Sequence, residues 1–123
     1  MLSSQRRGPF RNLVIMSLDC VRREALGCYP QQFPLRTRIG ASPSTPNIDR
    51  LCRNGVRFDQ AVTQAPFTPA AHASLFTGLT PPRHGIRRFL GSRLTHEANT
   101  LAEVLTSHGW SCGAVVGADA LSR

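Results

Sequence analysis

Apolar and polar positions along this chain follow two patterns that are typical of β-strands. Residues 12–18 and 110–117 are near-continuous apolar runs, whereas residues 56–62 alternate between apolar and polar side chains. Continuous runs of this length are typical of strands buried on both faces of a parallel sheet, and alternation is typical of a half-exposed strand. We therefore predict three strands.

Three segments between these runs carry the start and stop signals of helices. They begin at Thr45-Pro46, at Thr68-Pro69 and at the capping box Thr100-Leu101-Ala102-Glu103, and they end at Gly55, Gly78 and Gly109. A helix typically starts with a hydroxyl side chain at the N-cap and proline at the first helical position. It typically ends with glycine just past its last residue. The alternation of helices with strands predicts an α/β fold.

The remaining stretches predict loops and a frayed end. Residues 1–11 are predicted to be a basic, flexible arm, so the domain is expected to cover residues 12–123. Cys20–Tyr29 is predicted to be a short helical or irregular turn, and Pro30–Pro43 and Leu79–Asn99 are predicted to be loops rich in proline, glycine and arginine.

The charge of the chain raises the question of a nucleic-acid partner. The formal net charge is +8, and all basic residues are arginine. A nucleic-acid binder would cluster its arginines and interleave aromatic side chains, whereas these arginines are scattered. We expect no specific nucleic-acid binding, although an arginine-rich binder with steep salt dependence stays an alternative. Arg83, Arg87 and Arg88 could instead help to hold an anionic substrate.

Targeting and cysteine patterns predict a cytoplasmic protein without a membrane span. The apolar runs are too short to cross a bilayer, and the paired arginines Arg6 and Arg7 precede no hydrophobic signal region. The four cysteines show no zinc-ligand spacing, so we predict reduced thiols. Cys20 and Cys28 are expected to be small core residues.

Two residues stand where chemistry is expected in such a fold. Asp19 follows the first predicted strand, at the edge of the sheet where α/β proteins bind ligands. Thr68 stands at the mouth of a helix, whose N–H groups and dipole suit a phosphate or sulfate. The simpler alternatives are a solvated turn residue for Asp19 and an ordinary helix cap for Thr68.

A series of motifs resembles the amino-terminal part of sulfatases and sulfatase-like hydrolases of the alkaline phosphatase superfamily. In order, the motifs are Asn12-Leu13-Val14-Ile15-Met16-Ser17-Leu18-Asp19, Arg22, Leu26-Gly27-Cys28-Tyr29, Thr45-Pro46-Asn47-Ile48-Asp49-Arg50-Leu51, Gly55-Val56-Arg57-Phe58, Ala65-Pro66-Phe67-Thr68, His72-Ala73-Ser74-Leu75-Phe76-Thr77-Gly78-Leu79 and His84-Gly85. The resemblance runs from about Asn12 to Val116. It implies an α/β fold with a partial parallel-sheet sandwich of the alkaline phosphatase-like type, of which this chain would form only the N-terminal portion.

The resemblance also implies roles for three residues. Asp19 matches the aspartate that ligates the active-site metal, and Thr68 matches the nucleophile, which sulfatases carry as a cysteine or serine matured to formylglycine. His72 takes the place of an arginine and would orient the nucleophile or the anion. Threonine cannot mature in this way. Sulfatase-like members with threonine and known chemistry process phosphoryl or phosphonate groups, including glycerol-phosphate transferases.

General chemistry agrees with a metal-dependent site formed by Asp19 and Thr68. A threonine hydroxyl is a poor nucleophile at neutral pH unless a base or a metal activates it. We therefore predict a divalent cation (Ca²⁺, Mg²⁺, Mn²⁺ or Zn²⁺) bound by Asp19 and Thr68, and a small anionic ester as substrate. Of these ions, Mg²⁺, Ca²⁺ and Mn²⁺ take about six oxygen ligands. The resemblance places the other ligands in later sequence.

The last expectations concern the isolated chain and three of its histidines. The isolated chain is expected to be an inactive sulfatase fragment whose exposed sheet edges favour self-association. His84 is predicted to be a turn residue or a support for the site, and His96 and His108 are predicted to be exposed.

Overall fold

The computed structural model describes residues 11–29, 44–117 and 121. It separates into two compact units, Met1–Arg57 and Phe58–Arg123. The predicted arm (except Arg11) and the predicted loop Pro30–Pro43 lie outside the described residues. In the described residues, each unit consists of short helices joined by turns and irregular segments.

The first unit contains a 3-10 helix, Arg23–Ala25, and the helix α1, Pro46–Asn54. Both confirm the prediction for their part of the chain. Thr45 is the N-cap of α1, but its hydroxyl bonds no N–H of that helix. It accepts a hydrogen bond from the Gly27 N–H and donates one to Asp49 Oδ1, both at 2.8 Å. The N-cap therefore also fastens the preceding turn to the helix.

Gly27 is required by this close approach to α1. A Cβ atom at Gly27 would lie only 2.6 Å from Asp49 Oδ2. The carboxylate of Asp49 is itself held by the Thr45 hydroxyl, so it cannot swing away without losing that bond. The absence of a side chain at residue 27 is what lets the turn lie against α1.

The second unit contains α2, Thr68–Thr77, α3, Pro81–His84, and α4, Leu101–Ser107. The helix α3 lies within the stretch that was predicted to be a loop. Two consecutive prolines suggested a loop, yet a proline in the first turn of a helix loses no hydrogen bond, because that N–H has no intrahelical acceptor. Helix α3 is therefore compatible with its sequence.

Helix α4 confirms the predicted capping box. The Thr100 hydroxyl accepts a hydrogen bond from the Glu103 N–H at 3.3 Å, and the Glu103 carboxylate accepts one from the Thr100 N–H at 2.7 Å. His108 is the C-cap, and Gly109 has a positive φ of 83°. Both ends of α4 are thus set by residues within the helix or next to it.

The core of the second unit is small. Its buried apolar residues are Ala65, Ala70, Ile86 and Ala98. The first three form a cluster, and Phe67 and Ala73 pack against it. Helix α2 packs against both α3 and α4. Alanines dominate this cluster, so the helices approach closely but bury little apolar area.

The predicted parallel-sheet sandwich is wrong for the described residues, none of which lies in a strand. The segments predicted to be strands have no regular secondary structure, and their apolar side chains are largely exposed: Val14 is 81% exposed, Val56 81% and Val62 82%. A strand needs a neighbouring strand for its backbone groups and an apolar layer for its side chains. The apolar pattern indicates that these side chains need to be buried, but it does not specify which elements would bury them.

No helix in the described part of the chain is long and apolar enough to cross a membrane. The cytoplasmic location stays a prediction. All four cysteines are free thiols. The prediction that Cys20 belongs to the core is wrong, because Cys20 is exposed in a turn with a positive φ of 57°, whereas Cys28 is half-buried.

Candidate functional site

Thr68 is the first residue of α2 and not its N-cap, so the prediction that Thr68 caps this helix is wrong by one residue. Phe67 is the N-cap, with extended backbone angles, and its carbonyl accepts the Ala71 N–H at 3.1 Å. Thr68 therefore already has helical geometry and lies in the turn where the positive end of the helix dipole is concentrated. Its half-buried side chain still stands at the mouth of α2, as the sequence predicted.

His72 contacts Thr68 through the backbone. The Nδ1 atom of His72 lies 2.9 Å from the Thr68 carbonyl oxygen. Because a carbonyl can only accept, Nδ1 carries the proton in this bond and Nε2 is the basic nitrogen of the neutral ring. The ring also packs in a tilted orientation against Phe76, with the ring centroids 6.1 Å apart. The structure thus brings His72 and Thr68 together on one side of α2.

Asp19 lies in the first unit, whereas Thr68 lies in the second. Asp19 is exposed and occupies a turn with Cys20, directly after the irregular segment 12–18. The expected position of Asp19 at the edge of a sheet is not observed, because residues 12–18 form no strand. Its joint role with Thr68 stays a prediction.

The donor set for a metal is incomplete within the described residues. Nowhere in ranges 11–29 and 44–117 do three or more His, Cys, Asp or Glu side chains come together. Asp19 and Thr68 both offer oxygen, which suits a hard cation such as Mg²⁺, Ca²⁺ or Mn²⁺. These two oxygen donors are of the type that such an ion binds, but two donors are fewer than the roughly six that the ion takes.

His84 is the fully buried polar residue of the second unit, with 0% of its surface exposed. Its Nδ1 accepts the Ile86 N–H at 3.1 Å, so the other nitrogen, Nε2, carries the proton. Nε2 lies 3.0 Å from the Ser74 hydroxyl oxygen on α2. Burial lowers the pKa of His84, partly opposed by hydrogen bonds to backbone groups of His84 and Ala70. The neutral ring fastens α2 to the turn after α3.

The sequence predicted a turn or supporting role for His84 but not this burial. The sequence signal that could have indicated this burial is the position of the histidine, directly before Gly85. Gly85 has a positive φ of 87°, and the chain turns back there toward Thr95. The Thr95 N–H donates to the His84 carbonyl at 3.1 Å. By contrast, His96 and His108 are exposed, as predicted.

Arg83, Arg87 and Arg88 are all exposed, so their side chains are accessible for an anion. Arg87 already donates to the Pro82 carbonyl at 3.1 Å. These arginines lie beyond the C-terminal end of α2, in and after α3, so they are not part of the turn that contains Thr68. Their role toward a substrate stays a prediction.

Comparison with known proteins identifies the family. The family model described as Sulfatase matches residues 11–121. The chain belongs to the sulfatase family. Similar proteins include human arylsulfatase A, 32% identical over 83% of this chain and 19% of its own length, and human arylsulfatase D, 30% identical over 85% and 18%. Rat steryl-sulfatase is 32% identical over 93% of this chain and 20% of its own length.

This sulfatase-family chain spans about a fifth of the length of those relatives. No solved structure matches it. The matched region nevertheless contains each of the three residues singled out from the sequence, Asp19, Thr68 and His72. The family resemblance identified from the sequence motifs is confirmed.

Proposed function

We propose that this chain carries the N-terminal part of the active site of a metal-dependent hydrolase of sulfate or phosphate esters. Thr68 would be the nucleophile, Asp19 and Thr68 would bind the metal, and His72 would position Thr68. The observation that carries this proposal is the placement of Thr68 in the first turn of α2, within the region that matches the sulfatase family.

The first turn of α2 has properties that suit this reaction. The dipole and the backbone N–H groups of an N-terminal turn favour an anionic ester. His72 anchors its ring on the Thr68 carbonyl, which restrains the backbone that carries the attacking hydroxyl. A bound divalent cation would favour loss of the hydroxyl proton and polarise the ester.

In the proposed reaction, the Thr68 oxygen attacks the sulfur or phosphorus atom of the ester. The bond to the alcohol breaks, the alcohol leaves with a proton, and a covalent threonyl ester remains. Water or an acceptor alcohol then attacks the same central atom and releases Thr68. Since threonine cannot form formylglycine, we propose a phosphodiester as the preferred substrate class over a sulfate ester.

An alternative proposal is that this chain catalyses nothing by itself. Two observations favour it: the described residues bring no three metal-ligating side chains together, and they leave large apolar side chains exposed. Such a chain would bind a cation weakly through Asp19 and Thr68 but would not turn over an ester. Self-association through its exposed apolar segments belongs to the same proposal.

The test combines metal binding with turnover. We expect the melting temperature of the wild-type chain to rise with Mn²⁺ or Mg²⁺, because an ion bound only by the folded state stabilises it. Asp19→Asn and Thr68→Ala should abolish that rise, whereas the control variants Asp59→Asn and Thr106→Ala should keep it. Hydrolysis of an aryl phosphodiester and of nitrophenyl sulfate should be followed in parallel.

The outcomes separate the two proposals. Turnover that is lost in Thr68→Ala supports the hydrolase. A metal-dependent rise without turnover supports the inactive chain. Turnover by Thr68→Ala equal to that of the wild type would remove Thr68 from the nucleophile position.

A further inference from the structure

Two cysteines distant in sequence face each other in the first unit. The Cys52 thiol on α1 donates a hydrogen bond to the Cys28 sulfur across 3.0 Å, although 24 positions separate the two residues. A disulfide bond is about 2.05 Å long, so the two sulfur atoms need to approach by only about 1 Å more. Both thiols are half-buried, and both line a cavity of about 180 Å³.

Hydrogen bonds of neighbouring backbone groups also hold the Cys28 turn close to α1. The neighbouring Gly27 N–H is held by the Thr45 hydroxyl at the start of α1. The Cys28 carbonyl accepts a hydrogen bond from the Arg57 guanidinium, just after α1. That guanidinium also lies over the Tyr29 ring, 5.2 Å from its centroid. The turn that carries Cys28 is therefore fixed to its surroundings on either side of the sulfur.

The cavity offers access to a small polar reagent. Its lining contains Arg53 and Arg57 as well as Asp49, together with both sulfur-bearing residues. Two guanidinium groups against one carboxylate leave the lining with an excess of positive charge, which favours an anionic reagent. Oxidised glutathione is a small disulfide of this kind, because each half of the molecule carries two carboxylates and one amine.

We infer that Cys28 and Cys52 form a redox-active pair that closes to an intramolecular disulfide by exchange with a small-molecule disulfide. One thiolate of the pair attacks the small disulfide, which forms a mixed disulfide and releases one small thiol. The second cysteine loses its proton to solvent, attacks the protein sulfur of the mixed disulfide and releases the second small thiol. Two protein thiols are oxidised, and one small disulfide is reduced to two thiols.

The electrostatics of the pair set the conditions for this exchange. The hydrogen bond with Cys52 raises the pKa of Cys28, and burial and the negative charge of Asp49 raise it further. The Cys28 thiol therefore keeps its proton at neutral pH. The rate of thiol–disulfide exchange should increase as the pH rises toward 9. Arg53 and Arg57 are the cationic groups that face the pair.

The folded structure and the unfolded chain make opposite predictions about which cysteines pair. Cys20 is the cysteine nearest to Cys28 in sequence. In a random coil, closure of the shorter loop would favour Cys20–Cys28 over Cys28–Cys52 by about fivefold. The folded structure favours Cys28–Cys52, because Cys20 is exposed and Cys52 is in contact.

The experiment is oxidation of the full chain with oxidised glutathione at pH 8.5, with a chelator present, followed by alkylation and trypsin. Arginines lie between all four cysteines, so each cysteine falls on a separate peptide. We expect the Cys28–Cys52 cross-linked peptide to exceed the Cys20–Cys28 peptide at least fivefold in native buffer. In concentrated urea the order should reverse, as loop closure alone predicts.

Variants of the turn distinguish preorganisation from chance contact. Thr45→Val removes the hydroxyl that holds Gly27 and should reduce the native preference for Cys28–Cys52 severalfold, whereas Thr45→Ser should retain it. Oxidation should raise the urea midpoint of the wild type and of Cys20→Ser, but not of Cys28→Ser or Cys52→Ser. Equal amounts of all pairings in native buffer, or a dominant Cys20–Cys28 product, would overturn the inference.

Discussion

The Nε2 atom of His84 lies 3.0 Å from the hydroxyl oxygen of Ser74, and this contact joins α2 to the turn after α3. His84 is fully buried, whereas the apolar residues around it are mostly small. A neutral imidazole thus occupies the place of a large core side chain and satisfies two polar groups, the Ser74 hydroxyl and the Ile86 N–H. The helix that carries Thr68 is positioned through this ring.

Replacement of His84 by alanine should destabilise the second unit strongly. The change removes a fully buried ring and leaves the Ile86 N–H without its acceptor, so we expect a loss of about 2–4 kcal/mol in the free energy of unfolding. Urea denaturation followed by the fluorescence of the single tryptophan, Trp110, would measure it. Ser74→Ala removes one neutral hydrogen bond and should cost about 1 kcal/mol. The exposed His108 provides the control, because His108→Ala should change the stability far less.

The stability of the chain should depend on pH through His84. Burial lowers its pKa below the ordinary value of 6.5. Between that lowered pKa and 6.5, the unfolded chain binds more protons than the folded chain, so the free energy of unfolding rises with pH. The contribution is fully present above pH 6.5 and is lost as the pH falls toward the folded-state pKa.

Urea titrations between pH 7.5 and pH 5.5 would measure this slope. In His84→Asn the slope should be smaller, whatever the absolute stability of the variant, since asparagine does not titrate. A slope that is identical in the two proteins would contradict the assignment of a buried neutral imidazole.

Gly78 and Gly85 both have a positive φ, and a comparison of the two separates the cost of backbone strain from the cost of a steric contact of an added Cβ. At Gly78, where φ is 68°, an added Cβ would meet nothing within 4 Å. At Gly85, where φ is 87°, it would lie 3.1 Å from the Arg93 carbonyl oxygen and 3.0 Å from Thr95 Cγ2. We expect Gly78→Ala to cost about 1 kcal/mol from backbone strain, and Gly85→Ala roughly 2 kcal/mol or more.

Gly113→Ala is the reference for this glycine series, because its Cβ would also meet nothing and its φ is not in the left-handed region. Its effect should stay within about 0.5 kcal/mol. Equal losses for Gly78→Ala and Gly85→Ala would show that the contact with the Arg93 carbonyl does not restrict residue 85.

The capping box should contribute measurably to α4. Thr100→Ala removes the acceptor of the Glu103 N–H and should lower the free energy of unfolding by about 1 kcal/mol. Thr106→Ala, on an exposed position of the same helix, is the matched control and should leave the stability unchanged or slightly raised.

The ionisation of Glu103 offers a second measurement on the same cap. Hydrogen bonds from the Thr100 backbone and then from its side chain lower the pKa of Glu103. The stability from this carboxylate is present above its unfolded-state value of 4.5 and is lost as the pH falls below that value. In Thr100→Ala, an NMR titration should show the pKa of Glu103 moving upward. An unchanged pKa would mean that the side-chain bond of Thr100 plays no part.

The helices α1, α2 and α4 could be predicted from the sequence because their signals are local. Thr45 and Pro46 mark the start of α1, and Thr100 and Glu103 bond to each other across a single turn. Even the one-residue error at Thr68 is local in origin, since Phe67 provides the first helical acceptor without any capping side chain. Interactions between residues three or four positions apart need no knowledge of the remaining fold.

The sheet could not be predicted reliably, because a strand depends on partners that are remote in sequence. Residues 12–18, 56–62 and 110–117 have the apolar content of strands, yet the described residues of these runs form no ladder. The same limit applies to His84, whose burial requires α2 and the chain around Ile86 to meet. It applies as well to Cys28 and Cys52, which face each other across 24 positions.

The amino-acid order alone thus determined the helices α1, α2 and α4, the capping box, the family and the residues proposed for the chemistry. Local hydrogen bonds and side-chain types are sufficient for these. Tertiary packing determined which ring is buried, which thiols meet and which apolar segments remain exposed. Those outcomes depend on how distant parts of the chain exclude water from one another, and no local pattern specifies that.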